Sequence, residues 1–255
     1  MKRKTLLLAL ICLVFGAIMS SGRDFYVSPA GNDSNIGSQS SPFRTLEGAR
    51  AGIRTHISGG MTEDYYIHLQ EGYYFINDPV VFDNGDSGNN GFIVTYVGEG
   101  KVFLVAGRRI TGWLSYGGAL YQVYLGATVA DDLFENGIRG AKVENPSSRP
   151  LADVLYDLNS EGKYYYDTLG GYLYYYPRKT PINDQQISIP SSSNIIRVTG
   201  TSASSPARNI TFRNLVFSGT RRDNAAFSDF NLEQGMIHVE NAQNIEVSAC
   251  AFKAA

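Results

Sequence analysis

Ala207-Arg-Asn-Ile-Thr-Phe-Arg-Asn-Leu-Val-Phe-Ser-Gly219 aligns without a gap on Ala242-Gln-Asn-Ile-Glu-Val-Ser-Ala-Cys-Ala-Phe-Lys-Ala254. Asn209 falls on Asn244, Ile210 on Ile245, Phe212 on Val247, Leu215 on Cys250 and Phe217 on Phe252. Apolar and polar residues alternate in each copy, the period of a strand that buries one face. Two such strands cannot bury their inner faces alone. Each needs a copy above and below, which is how a β-solenoid builds its core. The expected arrangement is parallel, with Ile210 over Ile245 and Phe217 over Phe252. The second copy runs to the penultimate residue, so the chain reads as the N-terminal part of a longer solenoid.

The same rhythm recurs on both sides of the repeat. Ile195-Ile-Arg-Val198 and Ile237-His-Val239 flank it. Tyr66-Ile-His-Leu-Gln70, Tyr73-Tyr-Phe-Ile76 and Val80-Val-Phe82, split by Gly72 and Pro79, read as one early rung. Phe92 to Val97 and Val102 to Val105 read as the next. Phe25-Tyr-Val-Ser28 is a short strand ahead of them, followed by a turn-rich loop. Ser41-Pro42 then opens the clearest helix, with Leu46, Ala49, Ile53 and Ile57 on one face and Thr45 as its cap. Gly48 denies that cap a full capping box. A helix here would plug the open end of the solenoid, whose terminal rung exposes an apolar cross-section.

Between about 105 and 185 the rung spacing is lost. This stretch carries Trp113, Tyr121-Gln-Val-Tyr124, Leu133-Phe-Glu-Asn-Gly137 and the hairpin Tyr164-Tyr-Tyr-Asp-Thr-Leu-Gly-Gly-Tyr-Leu-Tyr-Tyr-Tyr-Pro177. Gly170-Gly171 would supply the positive φ of its turn. The segment predicts a small antiparallel β insertion, with the rungs resuming from Ile187. The expected divisions are residues 1–22, 23–104, 105–185 and 186–255.

Composition narrows the partners. Lys2-Arg3-Lys4 precedes an apolar run from Leu6 to Met19, and Ser20-Ser21-Gly22 offers small residues for cleavage before Arg23. A bilayer span needs about 20 apolar residues, so the run reads as a secretory signal rather than an anchor. The mature chain is expected outside the cytoplasm: secreted, periplasmic or at the cell surface, with no membrane span. Cys250 is then its only cysteine, which permits no internal disulfide and reads as a small buried side chain. The 22 Lys and Arg nearly balance 24 Asp and Glu, with no basic stripe, which argues against nucleic acid as a partner. Seventeen Tyr, 13 Phe and 27 Gly with few helical patterns point to an all-β protein.

Asp24-Phe-Tyr-Val-Ser-Pro-Ala-Gly-Asn-Asp-Ser-Asn-Ile-Gly37 and Ser41-Pro-Phe-Arg-Thr-Leu-Glu-Gly-Ala49 together resemble the opening segment of secreted right-handed parallel β-helix proteins. Leu69-Gln-Glu-Gly-Tyr-Tyr74, Asp86-Ser-Gly88, Gly107-Arg-Arg-Ile-Thr-Gly-Trp113, Leu133 to Gly137 and Gly171 to Pro177 follow in the same order. The set is similar to the N-terminal half of β-helix glycoside hydrolases of the pectate-lyase-like superfamily, over about residues 24–255. The resemblance implies an all-β, right-handed parallel β-helix with a capping helix and a small antiparallel insertion. It implies action on a polysaccharide or complex glycan, of xylan type or containing fucose. Ile138-Arg-Gly-Ala-Lys-Val-Glu-Asn-Pro146 departs from the basic and aromatic run expected there. The resemblance also implies catalytic carboxylates on rungs beyond this chain.

Glycoside hydrolysis uses two carboxyl groups, about 5–5.5 Å apart for retention or about 6.5–9.5 Å for inversion. Stacked rungs, at a strand spacing of about 4.8 Å, can supply such a pair. The local catalytic candidates are Asp223, Asp229 and Glu233, in the long stretch before Ile237, with Arg221, Arg222 and His238 as substrate-binding candidates. The plainer reading of these residues is a solvated loop and a surface histidine. Asp83-Asn-Gly-Asp-Ser-Gly88 fails as an EF-hand loop and reads as a turn. The tyrosines of the hairpin suit either sugar stacking or ordinary sheet packing. No metal site and no cofactor is expected. The leading expectation is an N-terminal piece of a glycoside hydrolase. A polysaccharide lyase on the same scaffold and a non-enzymatic adhesin or glycan-binding protein are the alternatives. A lyase would want acidic calcium sites and a basic residue on the rungs, whereas an adhesin would show only Asn, Ser and Thr outward.

Overall fold

A computed structural model describes residues 22–221 and 235–253. The chain begins with β1 (Arg23–Val27), a loop, and helix α1 (Leu46–Ser58). β2 (Tyr65–Leu69), β3 (Gly72–Ile76) and β4 (Val80–Phe82) follow, then β5 (Val94–Gly98) and β6 (Val102–Ala106). A middle segment carries β7 (Arg108–Arg109), β8 (Leu114–Gly117), β9 (Leu120–Tyr124), β10 (Phe134–Glu135), β11 (Ile138–Arg139) and β12 (Ala141–Lys142). It continues with α2 (Leu151–Tyr156), β13 (Lys163–Asp167), β14 (Tyr172–Tyr175) and β15 (Ile187–Ile189). The last strands are β16 (Ile196–Thr199), β17 (Ala207–Arg213), β18 (Val216–Ser218), β19 (Ile237–Glu240), β20 (Ala242–Ser248) and β21 (Ala251–Lys253).

The protein is mostly β. Three of its sheets are parallel throughout: β1-β2-β5-β17-β20, β3-β6-β18-β21 and β4-β16-β19. Consecutive strands visit these sheets in turn. β2, β3 and β4 enter the first, second and third, and β17, β18 and β19 do so again. Inward residues of all three sheets share one core, including Val27 and Ile67 from the first, Tyr74 and Leu104 from the second, and Phe82 and Val198 from the third.

The repeat at 207 and 242 pairs as its alternation requires. Ile210 lies between Val94 and Ile245, and Phe212 between Tyr96 and Val247. Phe217 stacks on Phe252 with ring centroids 5.1 Å apart and planes 10° off parallel. Asn209 and Asn244 both take φ near +55° (56° and 55°), a left-handed conformation that asparagine tolerates. Asn244 Nδ2 donates to Asn209 Oδ1 at 2.7 Å, and Asn209 Nδ2 donates to the Gly88 carbonyl at 3.1 Å. The amides thus satisfy one another from strand to strand. Cys250 is half-buried and contacts the Phe212 and Ser248 carbonyls; burial pushes its thiol up.

The four apolar residues expected on one face of α1, Leu46, Ala49, Ile53 and Ile57, are all buried in the main core. Thr45 Oγ1 accepts the Gly48 N–H at 2.9 Å, so the cap forms without a capping box. Asp33 fixes the approach, accepting from the backbone N–H groups of Arg44 at 2.8 Å and Thr45 at 2.9 Å.

The middle segment is largely antiparallel. β8, β9, β14 and β13 form a meander-like antiparallel sheet of two hairpins joined through β9 and β14, with β12 parallel at its edge, and β7, β15, β10 and β11 form a smaller sheet. A second core gathers Ile110, Trp113, Leu133, Leu173, Tyr175 and Ile187. Two local expectations are corrected. Ile187–Ile189 pairs antiparallel with β7 and β10, and parallel pairing resumes only at Ile196. A short apolar run carries no period that separates the two cases. The hairpin turn takes its positive φ at Gly171 (71°) and not at Gly170, because four residues rather than two connect β13 to β14.

Candidate functional site

Alternation along β3 sends Tyr74 and Ile76 into the core and Tyr73 and Phe75 outward. On the adjacent strand the register partner of Tyr73 is Phe103. The two rings stack face to face, 4.5 Å apart and 7° from parallel. Phe75 extends the surface, with its centroid 6.4 Å from that of Tyr73. Two cations border it: Lys253 Nζ lies 5.3 Å from the Phe103 ring and the Arg109 guanidinium 6.0 Å from the Phe75 ring. Burial pushes the Tyr73 phenol up.

Tyr73 and Phe75 of this strip floor a groove of about 750 Å³. One wall is the approach to α1, with Pro29, Arg44 and Glu47; the other bears Arg109 and Gln186 from the middle segment. Glu71 and Asp78 sit at the two ends of β3. Flat aromatic faces under a rim of carboxylates, guanidiniums and amides can bury an apolar ring face and hydrogen-bond its edge.

A smaller cavity of about 200 Å³ shares Asn77 with the groove and is lined by Arg108, Asp131, Ser191 and Arg221 among others. The Arg221 N–H donates to the Ser192 carbonyl at 3.0 Å. Of the residues singled out in the sequence, Arg221 therefore lies beside the groove. His238 lines neither cavity. It occupies the outward register of β19, opposite Arg197, yet its side chain is only 10 % exposed, with Nε2 3.6 Å from Glu240 Oε2. Arg222, Asp223, Asp229 and Glu233 lie outside the described residues.

The Asp83–Gly88 stretch is a turn tied to α1. Asp83 accepts the Gly85 N–H at 2.7 Å, and Asp86, 1 % exposed, accepts the Asp83 N–H at 2.8 Å. Arg54 donates to Asp86 through Nε at 2.7 Å and Nη2 at 2.6 Å, and Nη2 also meets Asp83 at 2.6 Å. The guanidinium stands where a cation would. Among the described residues no group of three or more His, Cys, Asp or Glu is placed to hold a metal ion.

Burial pushes the Asp83 carboxyl up, but the hydrogen bond and charge of Arg54 outweigh it and leave the pKa lowered. A carboxyl depressed in the fold contributes stability above its unfolded pKa, about 3.9, and loses it as pH falls through the folded value. Amides of α1 are therefore expected to keep their hydrogen-exchange protection from pH 7 to about 4. They should lose it progressively below that. Protection that collapses already near pH 6 would refute the assignment.

Sequence reasoning did not bring out His68. Its Nε2 lies 2.8 Å from Asp24 Oδ1, its Nδ1 2.9 Å from Glu99 Oε1, and its ring stacks on Tyr26 at 5.0 Å. Three parallel strand segments are thus tied on one outer face. Nothing local in the sequence marks this, because the three partners meet only through stacking. Glu135 is also engaged: buried, it accepts from Tyr175 Oη at 2.5 Å and from the N–H groups of Arg178 and Lys179 at 2.7 and 3.0 Å. Tyr73 and Phe75 were not singled out either: alternation puts them on one face, but four apolar residues in a row do not tell which face is buried.

No protein-family model matches the chain, and no curated protein sequence does. Two solved structures share its fold. One, titled "Glycoside hydrolase", superposes with a TM-score of 0.70 at 18 % identity over 90 % of this chain and 61 % of its own. The other, titled "The complex structure of XylC with xylose", has a TM-score of 0.53 at 15 % identity, covering 90 % of this chain and 41 % of its own. The chain therefore spans less than two thirds of either.

Proposed function

We propose that this chain is the N-terminal part of a secreted, glycan-directed protein built on a right-handed parallel β-helix. Three parallel sheets visited in rotation around one core support the β-helix. The observation that carries the function is the groove floored by Tyr73, on which Phe103 stacks, and by Phe75, and rimmed by Arg44, Glu71, Asp78 and Arg109. Stacked rings bury the apolar face of a pyranose, and the rim meets its hydroxyls. The solved structure titled with xylose makes xylan-type chains the first ligands to try, with fucose-containing glycans second. Hydrolysis is the proposed chemistry of the whole protein. Its acids would be Asp223, Asp229 or Glu233 or carboxylates on further rungs, with Arg221 and Arg222 beside them.

The test is binding of xylo-oligosaccharides by titration calorimetry. Tyr73→Ala should weaken binding about tenfold, which corresponds to about 1.4 kcal/mol. Tyr73→Phe, which keeps the ring, should stay within about threefold, or about 0.65 kcal/mol. Equal affinity of Tyr73→Ala and the native protein would defeat the assignment of the groove. A non-catalytic role has its own support, since Asp24, Asp83, Asp86, Glu99 and Glu135 are all engaged in structural contacts. Release of reducing sugar, abolished by Asp223→Ala or Glu233→Ala, separates the two.

A further inference from the structure

The meander-like sheet of the middle segment presents a second aromatic surface. Leu173, Tyr175 and Val123 point into its core. Their neighbours Tyr172, Tyr174 and Tyr124 point the other way, and Tyr172 and Tyr124 are register partners. Tyr116, Tyr174, Tyr172 and Tyr124 form a row, with successive centroids 5.1, 6.3 and 5.2 Å apart. Tyr174 is buried and joins the hydrophobic cluster of Leu155 and Leu158, while Tyr124, Tyr116 and Tyr172 are 66, 47 and 37 % exposed.

We propose that this tyrosine face is a second glycan-binding surface, taking a single, uncharged, soluble polysaccharide chain. It rests on the reading of the protein as glycan-directed, but on different residues.

Three observations select the ligand. The first is size. An aromatic side chain offers about 150–250 Å² when fully buried, so these exposures leave about 300 Å² of tyrosine surface, against about 800 Å² per partner in a stable protein interface. A sugar chain needs far less than a second protein. The second is charge. The two ionic residues of β13 on this face are of opposite sign and each is hydrogen-bonded locally: Asp167 accepts the Leu169 N–H at 3.1 Å, and Lys163 Nζ donates to the Asp157 carbonyl at 3.0 Å and to Asn159 at 2.9 Å. That leaves phenol hydroxyls and the Gln122 amide to meet a ligand, a set suited to neutral hydroxyls. The third is shape. The planes of Tyr172 and Tyr124 are inclined by 60°, and those of Tyr172 and Tyr174 by 37°. Rings so inclined cannot lie flat on a crystalline sheet of chains, but can follow one chain as it twists.

The experiment compares retardation of the native protein, Tyr124→Ala/Tyr172→Ala and Tyr124→Phe/Tyr172→Phe in gels containing soluble arabinoxylan, with circular dichroism as the folding control. The alanine pair is expected to weaken retardation at least tenfold. The phenylalanine pair should stay within about threefold, because the rings carry the contact. Unchanged retardation of a folded alanine pair overturns the proposal. Two other results also overturn it: binding to crystalline cellulose, and a concentration-dependent dimer that the alanine pair abolishes, which would make a second copy the occupant. Tyr73→Ala separates this surface from the groove. If only Tyr73→Ala loses binding, the groove stands and this surface fails; if only the alanine pair does, the reverse holds.

Discussion

Replacing Arg54 by leucine is expected to cost about 3 kcal/mol and to loosen α1 from the turn at 84–86. Breaking a buried ion pair costs about 3–5 kcal/mol, because the remaining charge stays buried and uncompensated. Asp86, 1 % exposed, would lose both Arg54 hydrogen bonds and keep Arg50 Nη1 at 3.4 Å, which places the loss at the lower end of that range. For a domain of 150–250 residues this lowers Tm by about 6–12 °C. Asp86→Asn should cost less, because an amide leaves no buried charge. Exchange protection in α1 should fall further than in β17, since the pair links the helix to the turn at 84–86 and not to the central strands. A thermal melt of Arg54→Leu within about 2 °C of the native protein would mean that core packing alone holds α1.

Phe212→Ala is expected to cost about 3–5 kcal/mol, the usual loss for a fully buried phenylalanine. Phe212 has no exposed surface and meets Phe82 at 5.2 Å and Tyr96 at 5.6 Å, joining the first and third parallel sheets. Its ladder partners are Tyr96 and Val247, so the cavity would open beneath β20. Phe212→Leu, which refills most of the volume, should cost about 1.5 kcal/mol. Denaturant melts check both values. A loss under about 1 kcal/mol for alanine would show that the neighbouring rings collapse into the space.

The parts of the fold readable in the sequence are those set by local periodicity. Strand alternation assigned Phe212 and Phe217 inward, and the helical period selected Leu46, Ala49, Ile53 and Ile57. The gapless repeat also implied its own register, since only one alignment superposes Ile210 on Ile245 and Phe217 on Phe252. Where period was absent the reading failed locally. Ile187–Ile189 is apolar and short, and its antiparallel partners lie at Arg108 and Phe134.

The candidate site was less legible, because most of its contacts join residues far apart in the chain. Alternation by itself put Tyr73 on the same face as Phe75. Only the parallel register of β3 on β6 decided that it lands on Phe103, and only the placement of the middle segment set Arg109 against Phe75. Likewise Asp24, His68 and Glu99 carry no common local signal, and Arg54 and Asp86 meet only because α1 lies over the turn at 84–86. Side-chain direction follows from a residue's immediate neighbours along the backbone, whereas side-chain company follows from register and layer packing. The first is a property of the sequence, and the second exists only once the strands are paired and the sheets packed.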